Sequence, residues 1–375
     1  MAFSLFVLGF IFLIGLVIGS FLNVVILRTV SGESIVFPAS KCPKCQTPLK
    51  WYHNIPVLSY IFLRGKCGFC KEHISIQYPI VELLTGILFI LLFLKFCNPF
   101  DEFFGLNTIN SISWEQIAIY ITSLIATGLF IAIAGTDIIE KKVSDAHTFS
   151  LIGLGLVYSV VSFILRVLSY HNYFGEYPKI NGAFFLQHCP ILCAIACAII
   201  GFIIMEIVAR LGQLIVGTRA FGEGDSFIAA GLGSLFGALF HARMSIVPTH
   251  ESEAFLFGIY ALLSILILSV IVQIFITFPL YVKKLILEKN IMTLGAIAGF
   301  ILLSIGYFFA MYLGWLDNKP AYIISTIVLA AAGIFACREV LIGIRKNKGE
   351  NGLYLPFGPA MIIAGLIFMF LIPMS

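Results

Sequence analysis

Two aspartates stand where apolar runs end or begin. Asp137 closes one in "IAGTDIIEKKVSD", and Asp225 opens another in "AFGEGDSFIAAGLG". A carboxylate at the edge of a lipid-embedded segment is costly, and by default it signals function. Two carboxylates that share a site of low dielectric can hold one proton between them. One acid can then activate water while the other protonates a carbonyl oxygen or a departing amine, which is the chemistry of amide hydrolysis. Gly222 and Gly224 have no Cβ, so the chain can turn sharply there and a substrate strand can come close. Each acid alone also fits a plainer part, Asp225 as a helix N-cap and Asp137 as a solvated loop acid. Glu140, Glu223 and Asp145 read as the lining of a wet loop able to attract a basic substrate. Glu206, inside an apolar run, reads as a buried hydrogen-bond partner.

A second constellation lies near the N-terminus. Cys42 and Cys45 form one C-x-x-C, Cys67 and Cys70 form another, and the stretch between them is close to zinc-ribbon spacing. Four thiolates make a closed tetrahedral site of the structural kind. The loop that carries them is too short for a core of its own, and a Zn2+ clip supplies the missing order. On a reducing cytoplasmic side disulfides are not expected. His53 lies between the pairs and offers a substitute ligand, or is a plain surface histidine. Cys97, Cys189, Cys193, Cys197 and Cys337 fall in or beside apolar runs and read as packing residues.

The elements that must position these groups are membrane helices. The chain of 375 residues is 60% hydrophobic and 11% charged. That excludes an ordinary soluble domain, and runs of about 20 apolar residues recur along it. The net charge of +4 is scattered over loops, so no nucleic-acid partner is implied. The reading is an all-α, polytopic helical membrane protein with about ten transmembrane helices, at 3–27, 79–97, 114–136, 148–170, 184–209, 226–242, 254–282, 292–314, 321–341 and 357–374. The first is a retained span, not a cleaved signal, because no basic residue precedes it and no cleavage site ends it. With the N-terminus outside, 18 of the 23 Lys and Arg fall in cytoplasmic loops. The exceptions are Lys95, Arg166, Lys179, Arg243 and Lys319. This topology puts Asp137 and Asp225 at the same cytoplasmic boundary, because two spans separate them. The domain reading is a first helix at 1–27, a cytoplasmic zinc-ribbon-like loop at 28–78, and a membrane domain at 79–375 with its aspartyl core at about 114–245. No internal repeat of fixed period is visible.

Taken in order, these motifs resemble the prepilin leader peptidase/N-methyltransferases, the processing enzymes of type IV pili and type II secretion. The resemblance runs from "GSFLNVVILR" (19–28) through both C-x-x-C pairs and "NIPVLSYIFLRGKCGFCKEHISIQYPIVELLTG" (54–86) to the "GEGD" box and "LPFGPAMIIAG" (355–365). It implies an intramembrane aspartyl protease of the bacterial inner membrane with Asp137 and Asp225 as its acids. Such an enzyme removes a basic leader from a prepilin or pseudopilin at the cytoplasmic face. It then methylates the new N-terminal amine with S-adenosylmethionine as donor. Glu82 matches a family acid and is the candidate for the methyl-transfer site; its plainer part is a polar residue at the start of span two. The sequence departs from the pattern at Phe227, where Lys is common, at Ser144, which replaces a Pro, and at Gln77, which replaces an Arg. The first two bear on substrate contacts and loop geometry, the third on methyl transfer. The stretch from about 254 to 345 is longer than the family needs, by about one helical hairpin.

Three other readings compete: a transporter or channel that uses the two aspartates for protons or cations, a secretion assembly factor with the zinc loop as a docking module, and a peptidase without methyltransferase activity.

Overall fold

In a bilayer each backbone N–H and C=O must bond within its own segment, so the apolar runs fold as helices. A computed structural model of the chain describes residues 2–37, 39–97, 113–140, 143–174, 189–216, 222–244, 253–287, 290–312 and 357–372, with isolated residues between 324 and 335. The helices are α1 (Ala2–Ser31), α2 (Leu58–Phe62), α3 (Gln77–Phe96), α4 (Trp114–Glu140), α5 (Asp145–Phe174), α6 (Ile191–Val216), α7 (Glu223–Met244), α8 (Ala254–Leu287), α9 (Ile291–Tyr312) and α10 (Gly358–Leu371), with a 3-10 helix at Trp51–Asn54. Seven of them, α1 and α3 to α8, are long and apolar enough to cross a membrane. The apolar stretches Ile291–Ser304 and Gly358–Leu371 are shorter. The protein is a multi-pass helical membrane protein, but the expected ten spans become seven long helices and two shorter ones among the described residues. The expected span at 321–341 falls largely outside them. Two helices run past the ends expected from the sequence, α4 to Glu140 and α6 to Val216.

Local signals set some of these ends. At the start of α4, Ser113 Oγ accepts the Gln116 N–H at 3.2 Å and Gln116 Oε1 accepts the Ser113 N–H at 2.7 Å. This reciprocal capping box satisfies two donors that the first turn would otherwise leave open.

By contact the chain divides into two units. Unit 1 is Met1–Ile207, Phe221–Val272 and Pro356–Ser375; unit 2 is Val208–Ala220 and Gln273–Leu355. Unit 2 takes in most of the stretch that looks like an addition in the sequence.

Within unit 1 the helices meet through small residues. Lipid is as apolar as leucine, so close backbone approach drives helix pairing in a bilayer. A Cβ on Gly15 would come 2.6 Å from Gly86 Cα, and one on Gly19 would come 2.7 Å from Glu82 Cα, so α1 and α3 touch backbone to backbone. α5 and α7 pair parallel in the same way, with Gly224 against Val143 at their N-terminal ends, then Gly231 against Leu151 and Gly155 against Ser234. Ser234 Oγ donates to Ile152 O at 2.9 Å across this seam. α7 is the central helix: 83% of its apolar window is buried by other helices, against 28–50% for the other six. This explains why it looked short and Gly-rich in the sequence. A helix surrounded by protein needs small surfaces, not large lipid-facing side chains.

Candidate functional site

Asp137 lies within α4, not in the loop after it, and is only 3% exposed. Its Oδ2 is buried without a hydrogen-bond partner. The solvated-loop alternative therefore does not describe this residue. The carboxylate rests on Gly358, in the first turn of α10, where a Cβ would strike Oδ2 directly and come 3.0 Å from Ile228 Cδ1. Ile228 stands one turn beyond Asp225 on α7. Gly358 thus touches Asp137 on one flank and the helix of Asp225 on the other. In the sequence "PFGP" enters only as part of the resemblance at 355–365, and its glycine is the contact that sequence reasoning missed.

Asp225 is 4% exposed and sits in the first turn of α7. Its Oδ2 accepts the Gly222 N–H at 3.0 Å, which is half of a capping box. The N-cap position is therefore Gly222 and not Asp225, whose carboxylate reaches back from the third helical residue, and that capping bond alone does not require its burial. Gly224 packs on Val143, where a Cβ would come 2.5 Å from the Val143 Cβ, so the residue before Asp225 seats the helix start against the entrance of α5. Next to Asp225, Ser226 Oγ donates to Glu206 Oε2 at 3.3 Å, which brings a third acid to the neighbourhood. Glu140, Glu223 and Asp145 are exposed, as a wet rim requires.

Phe227, where the resemblance expects a lysine, lies about 200° around the helix from Asp225 at 100° per residue. Its ring is 5.5 Å from that of Phe149 and 5.2 Å from that of Phe202. The departure builds an aromatic contact on another face of α7 and leaves the surroundings of the carboxylate alone.

The four cysteines converge. The Sγ atoms of Cys42, Cys45, Cys67 and Cys70 all lie within 4.8 Å of one another, and Cys42 Sγ is 3.9 Å from Cys70 Sγ. A tetrahedral zinc with bonds of about 2.3 Å needs sulfurs about 3.8 Å apart, so this donor set fits Zn2+. The two halves are copies at an offset of 25 residues. In each, the first cysteine N–H bonds the carbonyl five residues on (Thr47, 3.1 Å; Glu72, 2.8 Å), and its carbonyl accepts the N–H four residues on (Gln46, 2.9 Å; Lys71, 3.1 Å). Gln46 and Lys71 take positive φ, 56° and 61°, to close the knuckles. Bridges Lys41–Pro48 and Lys66–His73 tie the flanks. The sequence hides this repeat because backbone bonds, not side chains, carry it. Thr47 hydrogen bonds, from side chain and backbone, draw the Cys45 thiol down to about 6. The Cys70 and Phe69 N–H groups hold Cys67 below the usual thiol range. The Glu72 N–H pulls Cys70 the same way, but desolvation and the three neighbouring thiols outweigh it and push Cys70 up to about 11. His53 is not part of the cluster; its ring covers Gly68 and stacks edge-on to Phe69 at 5.1 Å.

Glu82 is buried in α3 and accepts the Val57 N–H at 2.7 Å. Val57 has φ 61° and ψ −49°, and Leu58 N–H bonds Pro56 O at 2.6 Å. This is a γ-turn of the strained, positive-φ kind centred on a β-branched residue. Backbone strain of this sort costs roughly 1–3 kcal/mol and persists only where the surroundings impose it. Asn23, fully buried on α1, donates to Tyr78 O at 3.1 Å beside this centre. Cys193 and Cys197, 3.9 Å apart at Sγ, pack inside unit 1 as expected, and Cys337 lies outside the described residues.

Fold and cysteine site together define a class: a multi-pass helical membrane protein with a four-cysteine metal-type knuckle pair in its first inter-helix loop. The model of the Bacterial Peptidase A24 N-terminal domain matches residues 13–96. The chain is 30% identical over 250 residues to a prepilin leader peptidase/N-methyltransferase of Neisseria gonorrhoeae, covering 60% of this chain and 72% of that one. It is 30% identical over 235 residues to one of Klebsiella pneumoniae, covering 61% and 85%. It is 56% identical over 80 residues to one of Myxococcus xanthus, covering 21% and 24%. The chain belongs to the prepilin leader peptidase/N-methyltransferase family. No solved structure matches it.

Proposed function

We propose that this protein cleaves the basic leader from a prepilin or pseudopilin at the cytoplasmic face of the bacterial inner membrane and then N-methylates the new terminus. Family membership supports the reading, and the observation that carries the site is the burial of both Asp137 and Asp225, with Gly358 against Asp137 and against Ile228, one turn from Asp225 on α7. A substrate with a basic leader and an apolar helix places its scissile bond at the interface, at the depth proposed for both acids. One carboxylate takes a proton from water, which attacks the amide carbon. The other protonates the departing nitrogen, and the products are a free carboxylate and a free amine. The domain assignment follows: 1–27 and 28–78 as first helix and zinc loop of the methyl-transfer half, and 79–375 as the membrane domain with the peptidase core at about 114–245.

For methyl transfer, S-adenosylmethionine supplies an electrophilic methyl group when bound. Glu82 is the one buried carboxylate among the described residues of 13–96, so it is the group here that can accept the proton the amine must lose. Cys42, Cys45, Cys67 and Cys70 would hold a Zn2+ whose role is to order the loop in which Val57 bonds Glu82.

The experiment is cleavage of a prepilin by the purified protein in detergent, with Asp137→Asn and Asp225→Asn made separately. Each is expected to abolish leader removal while the protein stays folded and keeps its metal. Retained cleavage in either variant overturns the acid assignment. A channel predicts altered ion flux and no leader removal in the unmodified protein.

A further inference from the structure

The zinc-bearing loop is bonded alongside the apolar helices and not only to their ends. Val57, immediately before α2, bonds Glu82, which lies five residues into α3, about 7.5 Å at 1.5 Å per residue. Glu82 is level with Gly19 on α1, nine residues or about 13 Å inside Arg28, the first basic residue after the apolar run. A cytoplasmic module on a free tether would not be bonded that far along two spanning helices.

What the loop exposes there is not cytosolic in character. On α2, Leu58, Ile61 and Phe62 fall at i, i+3 and i+4, hence on one face, and they are 51%, 60% and 80% exposed. Trp51 in the preceding 3-10 helix is 79% exposed. Between residues 28 and 76 the chain has seven Lys and Arg against two Glu, a net of five positive charges. Four thiolates on one Zn2+ subtract two and leave three. Arg28 turns inward to the carbonyls of Ser34 and Ile35, at 2.9 and 3.0 Å, while Lys41, Lys44, Lys50, Arg64, Lys66 and Lys71 are all exposed. Exposed aromatic and aliphatic side chains on a loop that also exposes six cations are the two signals that stable interfacial binding requires.

We propose that the loop is an anionic-lipid-binding surface, with the Leu58–Ile61–Phe62 face of α2 inserted among acyl chains and the surrounding Lys and Arg paired with phosphate headgroups. The inference needs only that the chain spans a membrane; it stands whether or not the acid pair is catalytic. Substrate and a second copy of the chain are the other occupants such a face could take, and charge decides against them, since a basic leader is repelled by this surface and so is an identical loop.

The test uses the full-length, zinc-loaded protein in vesicles, with Trp51, Trp114 and Trp315 replaced by Phe and a single probe placed by Phe62→Trp. Zinc content and prepilin cleavage confirm that the probe protein is intact. Bromine-labelled lipid chains are expected to quench the probe about twofold or more, and aqueous iodide to leave it nearly untouched. Brominated phosphatidylglycerol is expected to quench about threefold more than brominated phosphatidylcholine, a preference lost when Lys41, Lys44 and Lys50 are changed to Gln. Quenching by iodide alone overturns the proposal. Protection from both quenchers shows a protein-covered face and overturns it as well. Equal quenching by the two lipids overturns the anionic part.

Discussion

Gly358→Ala tests the geometry around Asp137 without touching either acid. The added Cβ would strike Asp137 Oδ2, and on its other side would stand 3.0 Å from Ile228 Cδ1. Ile228 is fully buried and Phe357, beside the glycine, is 4% exposed, so the backbone has little room to retreat. The free end of the Asp137 side chain is what can move. Restoring a van der Waals separation of about 3.5 Å displaces that oxygen by on the order of 1 Å. A misplacement of that size costs roughly 100-fold in rate, or about 2.7 kcal/mol of activation free energy. The assay is kcat/KM for leader removal from a prepilin in detergent. Methylation of an already cleaved pilin serves as the internal control, because Glu82 is bonded to Val57 and is not among the neighbours of Gly358. The expected result is a loss of about two decades in cleavage with methylation unchanged. Cleavage within about threefold of the unmodified protein would refute the reasoning that Asp137 works from the position Gly358 allows it.

Gly19→Ala would set a methyl 2.7 Å from Glu82 Cα, a backbone atom that cannot rotate away, so α1 and α3 must part. A loss of about 1–3 kcal/mol is expected, read as a lower thermal midpoint in detergent. Val57→Gly should do the opposite, because glycine tolerates φ 61°; a gain of about 1 kcal/mol with zinc retained is expected, and a loss would show that the valine side chain matters more than its strain. Zinc should bind more tightly as pH rises. Cys45, near 6, is already a thiolate at neutral pH, whereas Cys70, near 11, must give up its proton to the solvent on binding. Competition with a chromophoric chelator at pH 6.5 and 8 should show affinity rising up to about tenfold per pH unit for each thiol that releases a proton. A pH-independent affinity would mean that the thiols are not the ligands.

The sequence by itself determined what short-range chemistry decides. Runs of apolar residues define helices because lipid leaves the backbone no other partner. Two C-x-x-C pairs define a ligand set because the spacing within each pair is local. The two aspartates stood out because a carboxylate at the edge of an apolar run is expensive wherever the chain goes. The tertiary structure decided the rest. In a membrane, lipid-facing and protein-facing surfaces are both apolar, so periodicity could not show that α7 is the buried centre of unit 1. Nor could it show that α4 continues through Asp137 and buries it. The contact of Gly358 with Asp137 joins residues 221 positions apart, and the bond from Val57 to Glu82 spans a whole folded loop. Such long-range pairings depend on which small residues let two helices approach, and that is a property of the packed molecule, not of any window of its sequence.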